Sequence, residues 1–407
     1  MADLVVDSSK RRLDLQALRA LAVVAVVVYH SWPGLVPAGY LGVDIFFVVS
    51  GYLITRHLVG ERVRTGRIRL GRFYLRRARR LLPAATVVLA VTALMTVLVV
   101  PTYQWRAYFE QIVGSALYVQ NWVVLATTDR VPFDTAVLHF WSLSVEEQFY
   151  LVWPLLVIGG AALAVRLRKP PRAVLIAGAS AIVAASLALW IVTSAQDYDL
   201  AYFSTASRAW EFAAGGVLAL LPALKVTGAR ADALFWAGLA ALVASILIIH
   251  GNPGALTIIP IAATIAIIVA CNDGLPRTAR ALVSWRPIQW TGDISYALYL
   301  WHWPVLVFAP FITGVPSETW FMVLLLGFAV VLSWATTHFI ENPVRRTPLE
   351  GEQFRSRRRV QGLAVSLGLV TTLVVAGSAS WIAKDHRSLD QACIDRNNTR
   401  IVNDPQS

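Results

Sequence analysis

The chain has 407 residues, which by length alone would suit two or three soluble domains. Its composition excludes that organisation, because 57% of the residues are hydrophobic and only 15% are charged, whereas soluble domains carry about 25% charged residues. Two cysteines cannot form a disulfide framework. Fifteen tryptophans and 25 glycines fit a membrane protein, since aromatic side chains collect at membrane interfaces and glycine is common in spanning helices. We therefore expect an all-α polytopic membrane protein.

Eleven apolar segments are long enough to cross about 30 Å of hydrocarbon, some of them only when tilted or extended. They lie near residues 15–33, 42–58, 82–101, 138–164, 173–194, 207–222, 232–250, 255–271, 291–312, 320–340 and 361–383. Residues 105–125 are less apolar and contain several charged and amide side chains. We interpret them as an outer in-plane or re-entrant helix. The alternative, a further span, would break the charge pattern of the loops that follow.

The basic residues indicate the orientation, since Lys and Arg concentrate in cytoplasmic loops. With the N-terminus in the cytoplasm, 29 of the 36 basic residues lie on the inner side. The formal net charge of +12 is then mainly a topology signal, and no nucleic-acid partner is expected. We predict one transmembrane domain over residues 1–383, with Cys271 near the inner face. The polar residues 384–407, which include Cys393, are expected outside as the start of a truncated linker or domain.

Ionisable side chains inside spanning helices are costly, so each is a candidate functional group. Arg19 and His30 of the first segment are eleven residues apart, which places them on one helix face and roughly 16 Å apart along its axis. His30 suits proton transfer near neutral pH, whereas Arg19 either takes part or extends its charge to the inner surface. In the second segment, Asp44 either orients His30 or caps its own helix. Ser50 and Gly51 allow a close helix approach.

The loop at 56–80 carries ten arginines and one acid, Glu61. Orientation in the membrane needs fewer positive charges than that. The cluster immediately before the third apolar segment consists of Arg76, Arg77, Arg79 and Arg80. Guanidinium groups in such a cluster can bind phosphates in a bidentate manner. Anionic lipid headgroups are an alternative ligand.

The fourth segment begins HFWSLSVEEQFYLVWP and carries two adjacent glutamates below its outer end. Ser142, Glu146 and Tyr150 share one helix face. Glu147 points about 100° away from that face. A buried carboxylate at the depth of His30 is expected to form an acid/base pair with it. The alternative is a protonated carboxyl group that forms a hydrogen bond between helices.

Other polar positions have weaker signals. The ninth segment, TGDISYALYLWHWPV, places Ser295, Tyr299 and His302 near one face. His302, at mid-membrane depth, has either a polar packing role or a role in the reaction pathway. Trp141 is mainly an interface and packing residue, and Asn121 is either structural or part of an acceptor side. No zinc-ligand spacing, phosphate-binding glycine loop or nucleophile elbow occurs in the sequence, so no metal is expected.

Seven stretches together resemble the acyltransferase 3 family of membrane acyltransferases. They run in family order from about residue 12 to 346, and they are LDLQALRALAVVAVVVYH, GYLGVDIFFVVSGYLIT, RFYLRRARRLLPA, HFWSLSVEEQFYLVWP, RAWEFAAGGVLA, DISYALYLWHWP and HFIENPVRR. The resemblance implies that residues 1–383 form a transmembrane acyltransferase domain. Such a domain moves an acyl group, commonly acetyl or alternatively succinyl, from cytoplasmic acyl-CoA to a hydroxyl of an envelope glycan or glycolipid on the outer side.

The resemblance also carries the family's motifs onto residues of this chain. Its Arg-x10-His motif falls on Arg19 and His30. Its Arg-x-x-Arg motif falls on Arg77 and Arg80, although the pair Arg76–Arg79 has the same spacing. These matches imply that the arginines hold the phosphates of acyl-CoA and that the thioester reaches His30.

The same resemblance favours Glu146 over Glu147, because the second position varies in the family motif. Many members continue, after an eleventh helix, into an outer domain of the SGNH hydrolase type. Residues 384–407 are then the start of such a domain, which is missing here as a partner. The resemblance places the protein in the bacterial inner (cytoplasmic) membrane as a multi-pass protein.

The expected site has three groups of residues. The catalytic residues are His30, Glu146 and Asp44. The residues that bind acyl-CoA are Arg19, Arg76, Arg77 and Arg80. The substrate-binding residues are Trp141, Ser142, Asn121, Tyr150 and His302. His30 acts as a general base or a transient acyl carrier, and a neighbouring carboxylate fixes its tautomer.

Other functions stay open at this point. A proton-coupled transporter of a small envelope precursor would use a histidine–glutamate relay, although no internal repeat is apparent. A lipid-binding scaffold for the missing outer domain would not need His30. Among enzymes, the acceptor is alternatively a small secondary metabolite. The expected partners are acyl-CoA, the acceptor and the lipid bilayer.

Overall fold

The computed structural model describes residues 12–127, 131, 134–314, 319–346, 368, 372 and 374–382. Within these ranges every regular element is helical, which confirms the all-α class. The α-helices are α1 (Leu13–Ser31), α2 (Gly42–Thr65), α3 (Leu70–Val99), α4 (Trp105–Ala116), α5 (Gln120–Thr127), α6 (Phe140–Arg166), α7 (Pro171–Gln196), α8 (Tyr198–Phe203), α9 (Thr205–Leu220), α10 (Gly228–Ile248), α11 (Ile258–Ala270), α12 (Arg280–Val283), α13 (Arg286–Thr313), α14 (Thr319–Thr336) and α15 (Asn342–Arg346). A π-helical turn, Thr337–Glu341, joins the last two.

Eight helices of the described residues are long and apolar enough to cross a membrane. They are Leu13–Ser31, Gly39–Thr65, Leu70–Val99, Phe140–Arg166, Pro171–Gln196, Gly228–Ile248, Arg286–Thr313 and Thr319–Arg345. These spans confirm the polytopic membrane class.

Three of the eleven predicted segments are not among these eight spans. The helix Gly254–Ala270 is apolar but shorter. The helix α9 has 16 residues, and at 1.5 Å per residue it is about 24 Å long. The predicted segment 361–383 lies mostly outside the described residues, although 374–382 are helical. The outer tail 384–407 also lies outside them, so the number eleven and the position of the C-terminus stay predictions.

The stretch 105–125 forms two short helices. Helix α4 has 12 residues and α5 has 8, and neither can cross about 30 Å of hydrocarbon. Between them Tyr118 adopts a left-handed backbone, with φ at 56°. The side chain of Gln120 donates to Gln111 at 2.8 Å, and its backbone N–H donates to Ser144 of α6 at 3.1 Å. These bonds fasten the pair of short helices against α6.

The arginine-rich stretch 56–80, expected as a loop, is mostly helical. Helix α2 continues to Thr65 and ends at Gly66, whose φ of 73° suits glycine. Helix α3 already begins at Leu70. Arginine is a good helix former, so the charged sequence continues both helices beyond their apolar parts. As a result, residues 76–80 project from the first turns of α3 with helical spacing.

Glycines let the central helices touch through their backbones. A Cβ on Gly51 of α2 would overlap the carbonyl of Phe212 of α9. A Cβ on Gly292 of α13 would overlap the carbonyl of Gln16 of α1. Helix α1 packs against both α2 and α13. This close packing brings the polar faces of α1, α2 and α13 to one place inside the bundle.

Candidate functional site

A cavity of about 330 Å³ lies between α1, α2, α3, α6 and α13. Its charged and polar lining residues are Arg19, Ser50, His57, Arg76, Arg77, Arg80, Ser142, Glu146, Tyr150, Ser295, Tyr296 and Tyr299. All four arginines predicted to bind acyl-CoA are among them. The three residues of α6 predicted to share a face also line it. The face that helical periodicity predicts for these three residues is therefore the side of α6 that borders this cavity.

Arg77 is held by both glutamates of α6. Its Nη2 lies 3.1 Å from Oε1 of Glu146, and its Nε lies 3.4 Å from Oε1 of Glu147. Its guanidinium carbon is 3.2 Å from the ring centroid of Tyr150, whose hydroxyl donates to Glu146. Ser50 donates a further hydrogen bond of 2.6 Å to the same Oε1. The charge of Arg77 is balanced, so this residue shapes the cavity wall.

Arg76 is shared between two residues of α2. Its Nη2 lies 2.8 Å from Nε2 of His57 and 3.6 Å from Oε2 of Glu61. Its side chain is 37% exposed, whereas that of Glu61 is 8% exposed. Arg76 and His57 therefore form an accessible part of the cavity wall.

Arg19 and Arg80 have no carboxylate in contact among the described residues. The Nη1 of Arg19 donates to Oε1 of Gln16 at 3.1 Å, which is a neutral partner. Arg80 makes no hydrogen bond or ion pair with the described part of the chain. Two partly buried guanidinium groups that face the same cavity attract an anion, because the dielectric constant there is lower than in bulk water.

Two hydroxyl groups lie at the end of the cavity that is remote from the arginines. The Oγ of Ser142 and the hydroxyl of Tyr299 are 2.6 Å apart. Both also lie within hydrogen-bond distance of the carbonyl of His139, at 3.2 and 3.0 Å. Since each hydroxyl carries one proton, two of these three contacts are hydrogen bonds at any one time. Ser142 lies two helical turns along α6 from Tyr150, or about 12 Å. The cavity thus has a cationic end and a hydroxyl-lined end.

A pair of histidines lies beside the hydroxyl-lined end. The Nδ1 of His30 is 2.9 Å from Nε2 of His302, and the two rings are nearly parallel, at 13°. The Nδ1 of His302 lies 2.7 Å from the carbonyl of Tyr299. Tyr299 therefore lines the cavity with its hydroxyl and holds His302 with its carbonyl. The structure makes His302, predicted to bind substrate, the direct partner of His30.

A third histidine, His139, was not singled out from the sequence. Its Nε2 lies 3.2 Å from the carbonyl of Leu300. Proline at position 304 has no N–H to donate to that carbonyl four residues earlier, so His139 replaces the missing helix bond. Its ring centroid is 5.5 Å from that of His302. Pro304, directly after the WHW sequence, is the signal that could have indicated an external donor.

Asp44 contacts Arg208 instead of His30. Its Oδ2 lies 3.2 Å from Nη2 of Arg208, whose Nε lies 3.1 Å from Glu211. These side chains are at most 1% exposed. The contact of α2 with α9 at Gly51 turns Asp44 towards α9, where a buried arginine requires a carboxylate. Asp44 therefore belongs to a closed ion-pair cluster with Arg208 and Glu211 and does not contact His30.

Glu146 is also separated from its expected partner, His30. Its hydrogen bonds go to Arg77, Ser50 and Tyr150 on the cavity wall. The side of α6 that carries Glu146 faces α3, whose arginine supplies the opposite charge that a partly buried carboxylate needs. The neighbour of His30 is a neutral imidazole instead of a carboxylate.

Three predicted substrate-binding residues do not line the cavity: His302, which lies beside it, and Trp141 and Asn121, which pack elsewhere. Trp141 is buried, and its ring centroid is 4.6 Å from that of Tyr202. Asn121 donates to the last carbonyl of α8 at 3.0 Å and accepts from Gln148 at 2.9 Å. Both contacts join neighbouring helices, which favours the packing roles that the sequence left open for them.

Comparison with known proteins agrees with this arrangement. The family model described as an acyltransferase domain matches residues 12–338. The chain is 29% identical over 408 residues to YrhL of Bacillus subtilis strain 168, provisionally named a peptidoglycan O-acetyltransferase. It is 30% identical over 398 residues to the O-acetyltransferase OatA of Staphylococcus aureus strain NCTC 8325.

Each alignment covers 92% of this chain, but the chain spans only 62% and 64% of the length of these two relatives. The peptidoglycan O-acetyltransferase OatA of Listeria monocytogenes is 29% identical, over 82% of this chain and 56% of its own length. No solved structure matches the chain significantly. Since the family model covers most of the sequence, including the arginine cluster and the histidine pair, the chain belongs to the acyltransferase 3 family of membrane proteins.

Proposed function

We propose that this chain is a membrane O-acyltransferase that takes an acyl group from cytoplasmic acyl-CoA and places it on a hydroxyl of a cell-envelope glycan. The observation that carries the proposal is a cavity that has a cationic end and a hydroxyl-lined end, where Tyr299 connects its lining to the pair His30 and His302. Acyl-CoA carries phosphates at one end and a reactive thioester at the other. Its phosphates suit the cationic end of the cavity, and its thioester suits the end beside the histidines.

The cationic end is the proposed phosphate site. Arg19 and Arg80 supply positive charge that no carboxylate of the described residues balances by direct contact, and Arg76 adds a half-exposed guanidinium. Arg77 has a different role, because Glu146 and Glu147 already balance it. It holds α3 and α6 at the spacing that leaves the cavity open.

The geometry of α1 sets the distance over which the donor extends. Arg19 and His30 share one face of this helix, roughly 16 Å apart along the axis. A pantetheine arm is a flexible, nearly linear chain that can span such a distance in an extended form. With its phosphates at Arg19 and Arg80, the arm follows the cavity past Tyr150 and Ser142, and the thioester lies near His30.

His30 supplies the chemistry. As general base it takes the proton of the acceptor hydroxyl, whose oxygen attacks the thioester carbonyl carbon. The carbon–sulfur bond then breaks, and the CoA sulfur takes the proton from His30. The products are an acylated acceptor and free CoA thiol. Since the donor enters from one side and the acceptor from the other, the acyl group crosses the membrane while CoA stays on the inner side.

The names of the relatives indicate which acyl group and which acceptor to propose for this chain. Their names specify O-acetylation, and two of the three specify peptidoglycan. We therefore propose acetyl as the acyl group and peptidoglycan, on the outer side of the bacterial cytoplasmic membrane, as the acceptor. The extra length of the relatives supports an outer domain beyond this chain, which we propose assists delivery to the glycan.

The test uses purified protein in detergent with acetyl-CoA labelled in the acetyl group. Release of CoA thiol and labelling of soluble peptidoglycan fragments are measured together, with succinyl-CoA as a second donor. The His30→Gln variant should bind CoA normally but lose turnover by about 10²–10⁴-fold, the usual range for general acid–base catalysis. The matched control is His338→Gln, a change at an exposed histidine stacked on Trp334, which should keep full turnover.

Three results would overturn the proposal. Turnover in His30→Gln close to that of the unaltered chain excludes His30 as base and as acyl carrier. Failure of the unaltered chain to release CoA thiol from either donor excludes acyl-CoA. Uptake of an envelope precursor into proteoliposomes without thioester cleavage would assign the chain as a transporter.

A further inference from the structure

The hydrogen bonds of His302 determine which of its ring nitrogens carries a proton. Its Nδ1 lies 2.7 Å from the carbonyl of Tyr299 and 3.1 Å from that of Leu298. A carbonyl oxygen only accepts hydrogen bonds, so Nδ1 is the protonated nitrogen. His302 is fully buried, and no carboxylate among the described residues contacts it. In the uncharged ring, Nε2 is therefore a hydrogen-bond acceptor.

That acceptor determines the tautomer of His30. The Nδ1 of His30 lies 2.9 Å from Nε2 of His302, and the angle of 13° between the rings suits an in-plane N–H···N bond. The Nδ1 of His30 must donate, which leaves a lone pair on its Nε2. The ring of Trp303 packs on His30 with centroids 4.5 Å apart, and this contact restricts the ring from a second side.

Building on the proposed function, we propose that His302 is a positioning residue that holds His30 with its proton on Nδ1 and its Nε2 open to the acceptor hydroxyl. A buried carboxylate has this role in Ser-His-Asp triads, where it fixes the tautomer and stabilises the imidazolium. Here an uncharged imidazole, itself anchored to two backbone carbonyls of α13, has the same role. The carboxylates Asp44 and Glu146 are not needed for it.

The proton balance of the transfer follows from this arrangement. When the acceptor O–H bond breaks, its proton goes to Nε2 of His30, and its electron pair forms the bond to the thioester carbon. When the carbon–sulfur bond breaks, its electron pair stays on sulfur, which takes the proton back from Nε2. The Nδ1–H of His30 stays bonded to His302 in both steps, so His302 stabilises the transient imidazolium without gaining a proton.

Two substitutions of His302 separate hydrogen bonding from packing. In His302→Gln the amide oxygen can still accept from Nδ1 of His30, whereas His302→Leu fills a similar volume without an acceptor. We expect His302→Leu to lower kcat for acetyl transfer by about 10²-fold or more, with the KM for acetyl-CoA within about twofold. His302→Gln should stay within about tenfold of the unaltered chain. His338→Gln is again the control.

The tautomer itself can be observed without turnover. In protein labelled with ¹⁵N-histidine, long-range ¹H–¹⁵N correlation spectra distinguish the Nδ1–H from the Nε2–H form of a neutral ring. The His30 signals, assigned by their loss in His30→Gln, should show the Nδ1–H form in the unaltered chain and in His302→Gln. In His302→Leu they should show a mixture of both forms.

The outcomes distinguish this inference from the function on which it rests. An Nε2–H form of His30 in the unaltered chain, or an unchanged kcat in His302→Leu, would overturn the positioning role alone. Failure of the unaltered chain to release CoA thiol from acetyl-CoA or succinyl-CoA would instead overturn the proposed function.

Discussion

Two arginines of this protein are each paired with two carboxylates, yet their surroundings differ. Arg77 contacts Glu146 and Glu147 at 3.1 and 3.4 Å, and its guanidinium lies over the ring of Tyr150. Arg208 contacts Asp44 at 3.2 Å and Glu211 at 3.1 Å, and its guanidinium lies over several aromatic rings, including that of Trp190. In composition and contact distances the two clusters are close equivalents.

The two clusters differ in the exposure of their side chains. The side chains of Arg77 and Glu146 are each 16% exposed, and both line the cavity. Those of Arg208 and Asp44 are 1% and 0% exposed, and they are closed between α2 and α9. The Arg208 cluster joins two helices, whereas the Arg77 cluster forms the wall of a space that a ligand can enter. A charged side chain inside the membrane is therefore functional or structural. Only a charged side chain that also lines a cavity indicates a ligand-binding site.

The largest expected effect tests the closed cluster. Arg208→Gln leaves Asp44 and Glu211 buried without an opposite charge, which should destabilise the fold by about 3–5 kcal/mol. Thermal unfolding in detergent, followed by the fluorescence of the 15 tryptophans, measures this loss. Arg77→Gln is the matched variant and should cost less stability, because water in the cavity can solvate the glutamates. Equal losses in both variants would contradict the distinction between the clusters.

The next effect concerns the binding of CoA at the open end. Arg80→Gln removes a phosphate contact and should weaken CoA binding by about 1.5–3 kcal/mol, or about 10–100-fold in Kd. Its unfolding temperature should hardly change. Equilibrium binding of CoA to the purified variant measures the effect. CoA affinity equal to that of the unaltered chain would mean that Arg80 serves only the orientation of the protein in the membrane.

The Arg77 cluster allows a second comparison at the same end. Arg77→Gln alone exposes two glutamates to the phosphates and should lower CoA affinity by like-charge repulsion. Adding Glu146→Gln removes one of those negative charges, so the double variant should bind CoA more tightly than the single one. A double variant that binds CoA no more tightly than Arg77→Gln would show that the charge of Glu146 does not repel the phosphates.

The last prediction concerns the orientation of the helix bundle in the membrane, and it involves no expected change in stability or binding. Cys271 is buried, so a reagent in water reaches its thiol poorly and this native cysteine is a poor probe. In a chain with both cysteines changed to serine, Gly34→Cys and Ser284→Cys place exposed thiols at opposite ends of the bundle. An impermeant thiol reagent on intact cells should label the first variant and label the second only after permeabilisation. The reverse pattern would put the arginine end of the cavity outside.

Much of the fold follows from the sequence, because a helix in lipid must satisfy its backbone internally and needs a long apolar stretch. Ten of the eleven predicted segments lie in described parts of the chain, and all ten are helical there. The prediction of a loop at 56–80 is wrong, because arginine favours helices and a charged stretch does not by itself indicate a loop. Helical periodicity also predicted the shared face of Ser142, Glu146 and Tyr150.

The sequence by itself determined which polar groups enter the membrane and which of them share a helix face, because both follow from residue type and the period of 3.6. The partners across helices were decided by the tertiary structure. Asp44 pairs with Arg208, and His30 pairs with His302, 272 residues away along the chain. Such pairings depend on the order of the helices, on their rotation and on the close approach that a few glycines permit. None of these is encoded in the periodicity of a single helix.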